Sequence, residues 1–173
     1  MLLFIAKIKR KLSARQFLFL HGRHDLSKKH CAKLLVKTGA SIDGSIVIRP
    51  PFFFERGNFK VGKGVFINSG CVFLDKSLIT IGDYVMFGPH VRLCTTAHDT
   101  HPDRRRTNDT NAPISIGSNV WLGAGAVILP GVTVGENSVI AANSVVTKSV
   151  PPNALYAGSP ARFKRWLIEP MSS

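Results

Sequence analysis

The chain has 173 residues, 45% of them apolar, and a formal net charge of +13 at pH 7. That length and apolar content describe one folded domain with a core of its own and exclude a disordered chain. The charge favours anionic partners, but no nucleic-acid-binding motif accompanies it and the aromatics form no stacking platform, so nucleic acid is set aside.

Residues 1–40 read as a basic N-terminal segment of helix and loop. Ten Lys and Arg against one acid, Asp25, give it a formal +9, whereas thirteen against nine leave +4 for the remainder. Its first apolar run, Leu2 to Ala6, is far too short to span a bilayer. Charges follow that run rather than precede it and no small-residue cleavage site appears, which argues against a secretory signal. Helical spacing puts Leu2, Ile5, Ile8 and Leu12 on one face, with Lys7, Lys9, Arg10, Lys11 and Arg15 around the rest. Two readings stand for this segment: a helix packed on the domain or on a neighbouring subunit, and an interfacial anchor on anionic lipid. His21, His24 and His30 are expected at the surface.

From Ile42 a beat of six sets in. Ile42, Ile48 and Phe54 keep it; one extra residue precedes Val61, Ile67 and Phe73, and two precede Ile81, Phe87 and Leu93. Farther on, Ile116, Leu122, Ile128, Val134, Ile140 and Val146 follow without a slip. Four places after each stands a small or β-branched residue: Val120, Ala126, Val132, Ser138, Ser144 and Val150. Neither a helix nor a flat strand needs this period. A chain that turns a corner every six residues does, and fixed periods of this kind mark solenoids. The prediction is an all-β solenoid, a parallel β-helix over 41–152. Its interior is expected to be thin, holding few large rings, since only 9% of the chain is aromatic. Glycine after the aliphatic residue (Gly62, Gly82, Gly88, Gly117, Gly123, Gly135) suits corners that leave no room for a Cβ. Cys71 falls in a small inward slot. Together with Cys31 and Cys94 it forms no CxxC pair, which points to reduced thiols in the cytosol.

One long excursion interrupts the beat between Leu93 and Ile116. Its polar stretch, residues 98–113, holds His98, Asp99, His101 and Arg104 to Arg106, and a long loop in a compact domain is most often functional. Pro151 and Pro152 end the repeat. Residues 153–173 are read as a turn and a short helix over Phe163 to Ile168.

The run Pro113-Ile-Ser-Ile-Gly-Ser-Asn-Val-Trp121-Leu-Gly-Ala-Gly resembles the hexapeptide-repeat acyltransferases. So do Ile128-Leu-Pro-Gly-Val-Thr-Val-Gly-Glu-Asn-Ser-Val-Ile140, Ser144-Val-Val-Thr-Lys148 and Ala157-Gly-Ser-Pro-Ala-Arg162. The nearest branch is that of the maltose, galactoside and nodulation-factor O-acetyltransferases, and the likeness covers about residues 42–166. It implies a left-handed β-helix, a homotrimer, and acetyl-CoA held between subunits as co-substrate, with no resident cofactor or metal. By position it implies His98 as general base. His101 is the rival, but it lies twelve residues before Pro113 whereas His98 lies fifteen before it, close to the relatives' spacing. An imidazole near its ordinary pKa of about 6.5 can take the proton of a hydroxyl as it attacks a thioester. Asp99 is a candidate to orient that ring.

The resemblance further implies Asn68, Asp75 and Glu55 as acceptor contacts and Trp121 as a pocket wall. Ala124, Ala142, Thr147 and Lys148 would line the pantetheine arm, and Arg162 and Arg165 would meet the phosphates of CoA. The basic N-terminus and the Arg104–Arg106 loop depart from the sugar acetyltransferases, which leaves the acceptor open. A sugar or glycan hydroxyl leads, followed by acetylation of a xenobiotic such as an antibiotic, or N-acylation of a sugar. The remote reading is a γ-type carbonic anhydrase, for which His90, His98 and His101 are the only candidate zinc ligands. The expected location is cytoplasmic, at the inner face of the membrane if the N-terminus touches lipid.

Overall fold

The structure, a computed structural model, describes residues 10–23 and 26–168. The apolar and basic stretch 1–9, with both readings of it, and His24 lie outside the described residues. Two helices lead in: α1 (Ala14–Arg23) and α2 (Lys28–Val36). Ser13 and Gln16 form a reciprocal cap on α1. The Gln16 amide donates to Ser13 Oγ at 3.2 Å, and the Ser13 amide donates to Gln16 Oε1 at 3.0 Å.

Short strands then wind as a three-sided prism. The first coil is β1 (Ser41–Ile42), β2 (Ile46–Ile48) and β3 (Phe52–Phe54). The second is β4 (Phe59–Val61), β5 (Val65–Ile67) and β6 (Cys71–Leu74), and the third is β7 (Ile79–Ile81), β8 (Met86–Phe87) and β9 (Arg92–Cys94). Strands β10 (Thr96–His98) and β11 (Asp109–Asn111) leave the prism. The fourth coil is β12 (Ile114–Ile116), β13 (Trp121–Leu122) and β14 (Val127–Ile128); the fifth is β15 (Thr133–Val134), β16 (Val139–Ile140) and β17 (Val145–Val146). Strands β18 (Ala154–Ala157) and β19 (Arg162–Trp166) close the chain.

Successive coils pair in parallel, in register, on all three faces. Register sorts the outward side chains. One face presents Lys60, Thr80, Ser115 and Thr133 and is polar. A second lines up Val47, Phe66, Met86, Trp121, Val139 and Leu155 in one apolar row. The third carries Phe53, Val72, Arg92, Val127 and Val145.

Inward, the six-residue beat holds: Ile116, Leu122, Ile128, Val134, Ile140 and Val146 are all buried. Ser138 and Ser144 fill their small slots and tie down the last coil. Ser138 Oγ donates to the Pro151 carbonyl at 2.7 Å, and Ser144 Oγ accepts from the Gly158 amide at 3.1 Å. Cys71 is buried as expected, and burial pushes its thiol pKa up to about 11.

The corners pair two devices. Glycines after the aliphatic residue face the backbone of the next coil: a Cβ on Gly117 would stand 2.6 Å from the amide nitrogen of Glu136. Two places on comes a residue in the left-handed region, Asn119 after Gly117 and Asn137 after Gly135, both at φ 58.

Three expectations fail. Large rings are not scarce inside: Phe52, Phe54, Phe59, Phe73 and Phe87 are all buried in the first three coils, edge to face or tilted at 5.0–5.7 Å. Those coils have longer corners, and the wider section accepts a ring. The C-terminal helix is a strand instead. β19 folds back antiparallel on β18, whose free edge beyond the last coil offers backbone partners that a helix would leave unpaired. His21 is buried rather than at the surface. It stacks on Phe17 at 5.4 Å and shares a 3.2 Å hydrogen bond between its Nε2 and the Ile48 carbonyl. Burial lowers its pKa. Phe17 in turn meets Phe54 at 5.6 Å, so α1 closes the N-terminal end of the prism.

Candidate active site

All three slips of the period fall at one edge, where the third face turns into the polar face: after β3, after β6 and after β9. Unequal corners cannot bond backbone to backbone throughout, and two buried side chains take up the difference. Asp75, fully buried, accepts from four amides of the first coil's corner: Glu55 and Arg56 on Oδ1 at 2.8 and 3.0 Å, Gly57 and Asn58 on Oδ2 at 2.7 Å each. That fills the carboxylate's acceptor capacity. Thr95, also fully buried, does the same for the second coil's corner. Its hydroxyl accepts from the Ser77 amide at 2.9 Å and donates to the Leu74 carbonyl at 2.7 Å.

The third slip is the long excursion, and it is no irregular loop. β10 and β11 form an antiparallel ribbon, pairing Thr96 with Asn111, Ala97 with Thr110 and His98 with Asp109. The last pair brings His98 Nδ1 to 2.8 Å from Asp109 Oδ1, and the other carboxylate oxygen accepts from Lys76 Nζ at 2.7 Å. The Asp109 carboxyl is held below its usual range, first by the lysine that donates to it and less by His98. Such a carboxylate takes the proton-bearing Nδ1, which leaves Nε2 as the nitrogen to meet a substrate. The imidazole side chain is 74% exposed, so a substrate can reach it.

This corrects the role given to Asp99. That carboxylate turns into the ribbon's tip, accepting from Arg104 Nε at 2.8 Å and from the His101 amide at 2.8 Å, and Arg104 lowers its pKa. His101 sits in the same tip, its Nδ1 3.8 Å from Asp103. Asp109 and Lys76 were both missed. No local pattern marks them, since they reach His98 only through ribbon register and coil stacking.

The remaining candidates fall in separate places. Asp75 is not an acceptor contact: it is buried and its oxygens are spent on backbone amides. Glu55 is exposed at the first corner of the same edge, two coils from His98, roughly 10 Å at the usual strand spacing. Thr147 and Lys148 are exposed on this edge too, after β17. Asn68, Ala124 and Ala142 lie on a different edge, between the apolar and third faces, and Asn68 Oδ1 accepts from the Ser69 amide at 2.9 Å. Arg162 and Arg165 point outward on β19, beyond the last coil. Trp121 stands half-exposed in the apolar row. One copy of the chain therefore does not gather these groups. Among the described residues no three His, Cys, Asp or Glu side chains converge so as to hold a metal ion; His90 sits at the Asn68 edge, away from the ribbon.

The bacterial transferase hexapeptide signature (six repeats) matches residues 113–148. Nodulation protein L of Rhizobium leguminosarum bv. viciae is 44% identical over 142 residues, 81% of this chain and 74% of that protein. The galactoside O-acetyltransferase of Escherichia coli is 40% identical over 76% of this chain. The chain spans less than two thirds of the length of the first curated relatives it matches, 66% in the Escherichia coli case. Among solved structures, a hexapeptide-repeat acetyltransferase of Vibrio cholerae complexed with acetyl coenzyme A superposes with a TM-score of 0.84 at 36% identity, covering 90% of this chain and 86% of that one. A galactoside acetyltransferase in complex with coenzyme A gives 0.83 at 34% identity, covering 90% and 79%. The prism is thus the left-handed β-helix of these enzymes, and the chain belongs to the hexapeptide-repeat acetyltransferase family.

Proposed function

We propose that this chain transfers an acetyl group from acetyl-CoA to a hydroxyl of a sugar or glycan, with His98 as the general base. The observation that carries the reading is the 2.8 Å contact between His98 Nδ1 and Asp109, in the outermost pair of a ribbon that projects from an otherwise regular prism. Nε2 takes the acceptor's proton as its oxygen attacks the thioester carbonyl. The tetrahedral intermediate then expels the CoA thiolate, which the imidazolium reprotonates.

Assembly is part of the proposal. The apolar row from Val47 to Leu155 is the surface on which three copies would pack, because half-exposed Met86 and Trp121 call for cover. Such packing would set the His98 edge of one copy against a neighbour and close the distance to Asn68, Ala124 and Ala142. The pantetheine arm would run past Ala124, Ala142, Thr147 and Lys148, and Arg162 and Arg165 would meet the phosphates. No described helix is long and apolar enough to cross a membrane. We place the reaction in the cytoplasm, where acetyl-CoA is available and Cys31, Cys71 and Cys94 stay reduced; contact of residues 1–9 with anionic lipid belongs to the same proposal.

The test is thiol release from acetyl-CoA across mono- and oligosaccharides, nucleotide sugars, amino sugars and chloramphenicol. Acceptor-dependent release that falls by about 10²–10⁴ in His98→Ala is the expected result. Transfer confined to amines or to the antibiotic would replace the acceptor class. Failure to bind CoA would end the reading.

A further inference from the structure

We infer that Lys76 is a positioning residue for His98, acting through Asp109: it fixes the carboxylate that orients the imidazole. The inference rests on the base role proposed above for His98.

Lys76 is presented by the most firmly held turn at this edge. Its neighbour Asp75 is buried and bound to four backbone amides, and the next residue, Ser77, donates its amide to buried Thr95. The Lys76 carbonyl also accepts from Asn58 Nδ2 at 3.4 Å. A lysine on a free loop would spend its side-chain entropy to make one exposed ion pair, which is why most such pairs contribute little. Here the stem begins from a fixed point. The ammonium reaches 2.7 Å from Asp109 Oδ2 while His98 occupies Oδ1. Both oxygens are engaged, so rotation of the carboxylate away from the imidazole breaks the lysine contact as well.

The electrostatic consequence has a definite sign. A carboxylate beside an imidazole favours the imidazolium, and a cation on the carboxylate's far oxygen opposes that preference. The other charged groups of the ribbon are engaged among themselves: Asp99 with Arg104, His101 with Asp103, and Arg105 with the Thr100 carbonyl. Arg106, in the same tip, and Arg92, outward on β9, are the remaining cations of this region. The ion pair that reaches His98 is therefore the one Lys76 shares.

The experiment is an NMR titration of the His98 imidazole, identified by its loss in His98→Ala, at low ionic strength because exposed pairs are screened by salt. It compares the full chain with Lys76→Met, Lys76→Arg and Asp109→Asn. Lys76→Met is expected to move the midpoint up by about half a pH unit, the size of one unit charge removed from across a carboxylate in water. Asp109→Asn is expected to move it down, and Lys76→Arg to leave it near the parent value. The acid limb of kcat/KM in the thiol-release assay should follow the same order. In Lys76→Met, kcat should fall by up to about tenfold with KM for acetyl-CoA unchanged. A midpoint in Lys76→Met that stays at the parent value, or moves the same way as in Asp109→Asn, overturns the inference. The titration does not depend on turnover. Opposite shifts in the two variants without transfer to any acceptor would keep the coupling and sink the proposed reaction, whereas transfer with unmoved titrations would do the reverse.

Discussion

Two edges of the same prism follow opposite rules. Between the apolar and third faces the corners after the first are alike: Asn68 then Gly70, Gly88 then His90, Gly123 then Gly125 and Ala141 then Asn143 each put a residue in the left-handed region two places on. Backbone bonds knit these corners coil to coil, Gly125 to Pro89 at 2.8 Å and Asn143 to Ala124 at 2.8 Å. Between the third and polar faces the first three corners differ in length, and buried side chains replace part of that knitting. Equal corners make a scaffold. Unequal ones leave backbone groups that a polar side chain must satisfy, and they push chain out to where chemistry can happen.

If that contrast is right, the largest stability loss comes from Asp75→Ala. Its removal orphans four amides, and we expect a loss of about 3–5 kcal/mol in chemical denaturation. A loss no larger than that at a regular corner would break the comparison. Thr95→Val should follow at about 1–3 kcal/mol, since the Ser77 amide loses its acceptor while the Leu74 carbonyl keeps only the Thr95 amide of its two donors. The regular edge supplies the smallest effect. Asn143→Ala, at φ 56, should cost about 1–2 kcal/mol, and Asn143→Gly should recover most of that. Denaturation midpoints of the four variants, measured side by side, would sharpen the ranking.

Much of this architecture could be read ahead of the structure because its cause is local. An aliphatic residue every six places from Ile116 to Val146 has no other physical use, and where a glycine follows it, at Gly117, Gly123 and Gly135, the next coil leaves no room for a Cβ. His98, the proposed base, was singled out through the family resemblance, by its place at the start of the excursion. What escaped shares a different cause. Asp75 looked like a surface carboxylate because its partners are backbone amides of another coil, which no residue type announces. Asp109 was hidden by the ribbon's register, which brings residues eleven apart in sequence face to face. The interior phenylalanines were misjudged because the width of the first coils is set by corner lengths, of which composition carries no trace; His21 was misjudged because its burial comes from α1 packing over the end of the prism.

The stacked corners also behave like a reading frame. Within 114–150 a single added residue would turn every later inward side chain outward, as a frameshift garbles all that follows. At the edge that carries Asp75, Thr95 and the ribbon, one, two and many extra residues have been taken in, and each time the next strand resumes on the beat. Length there is punctuation, and the solenoid can acquire new text at that margin without rewriting the lines around it.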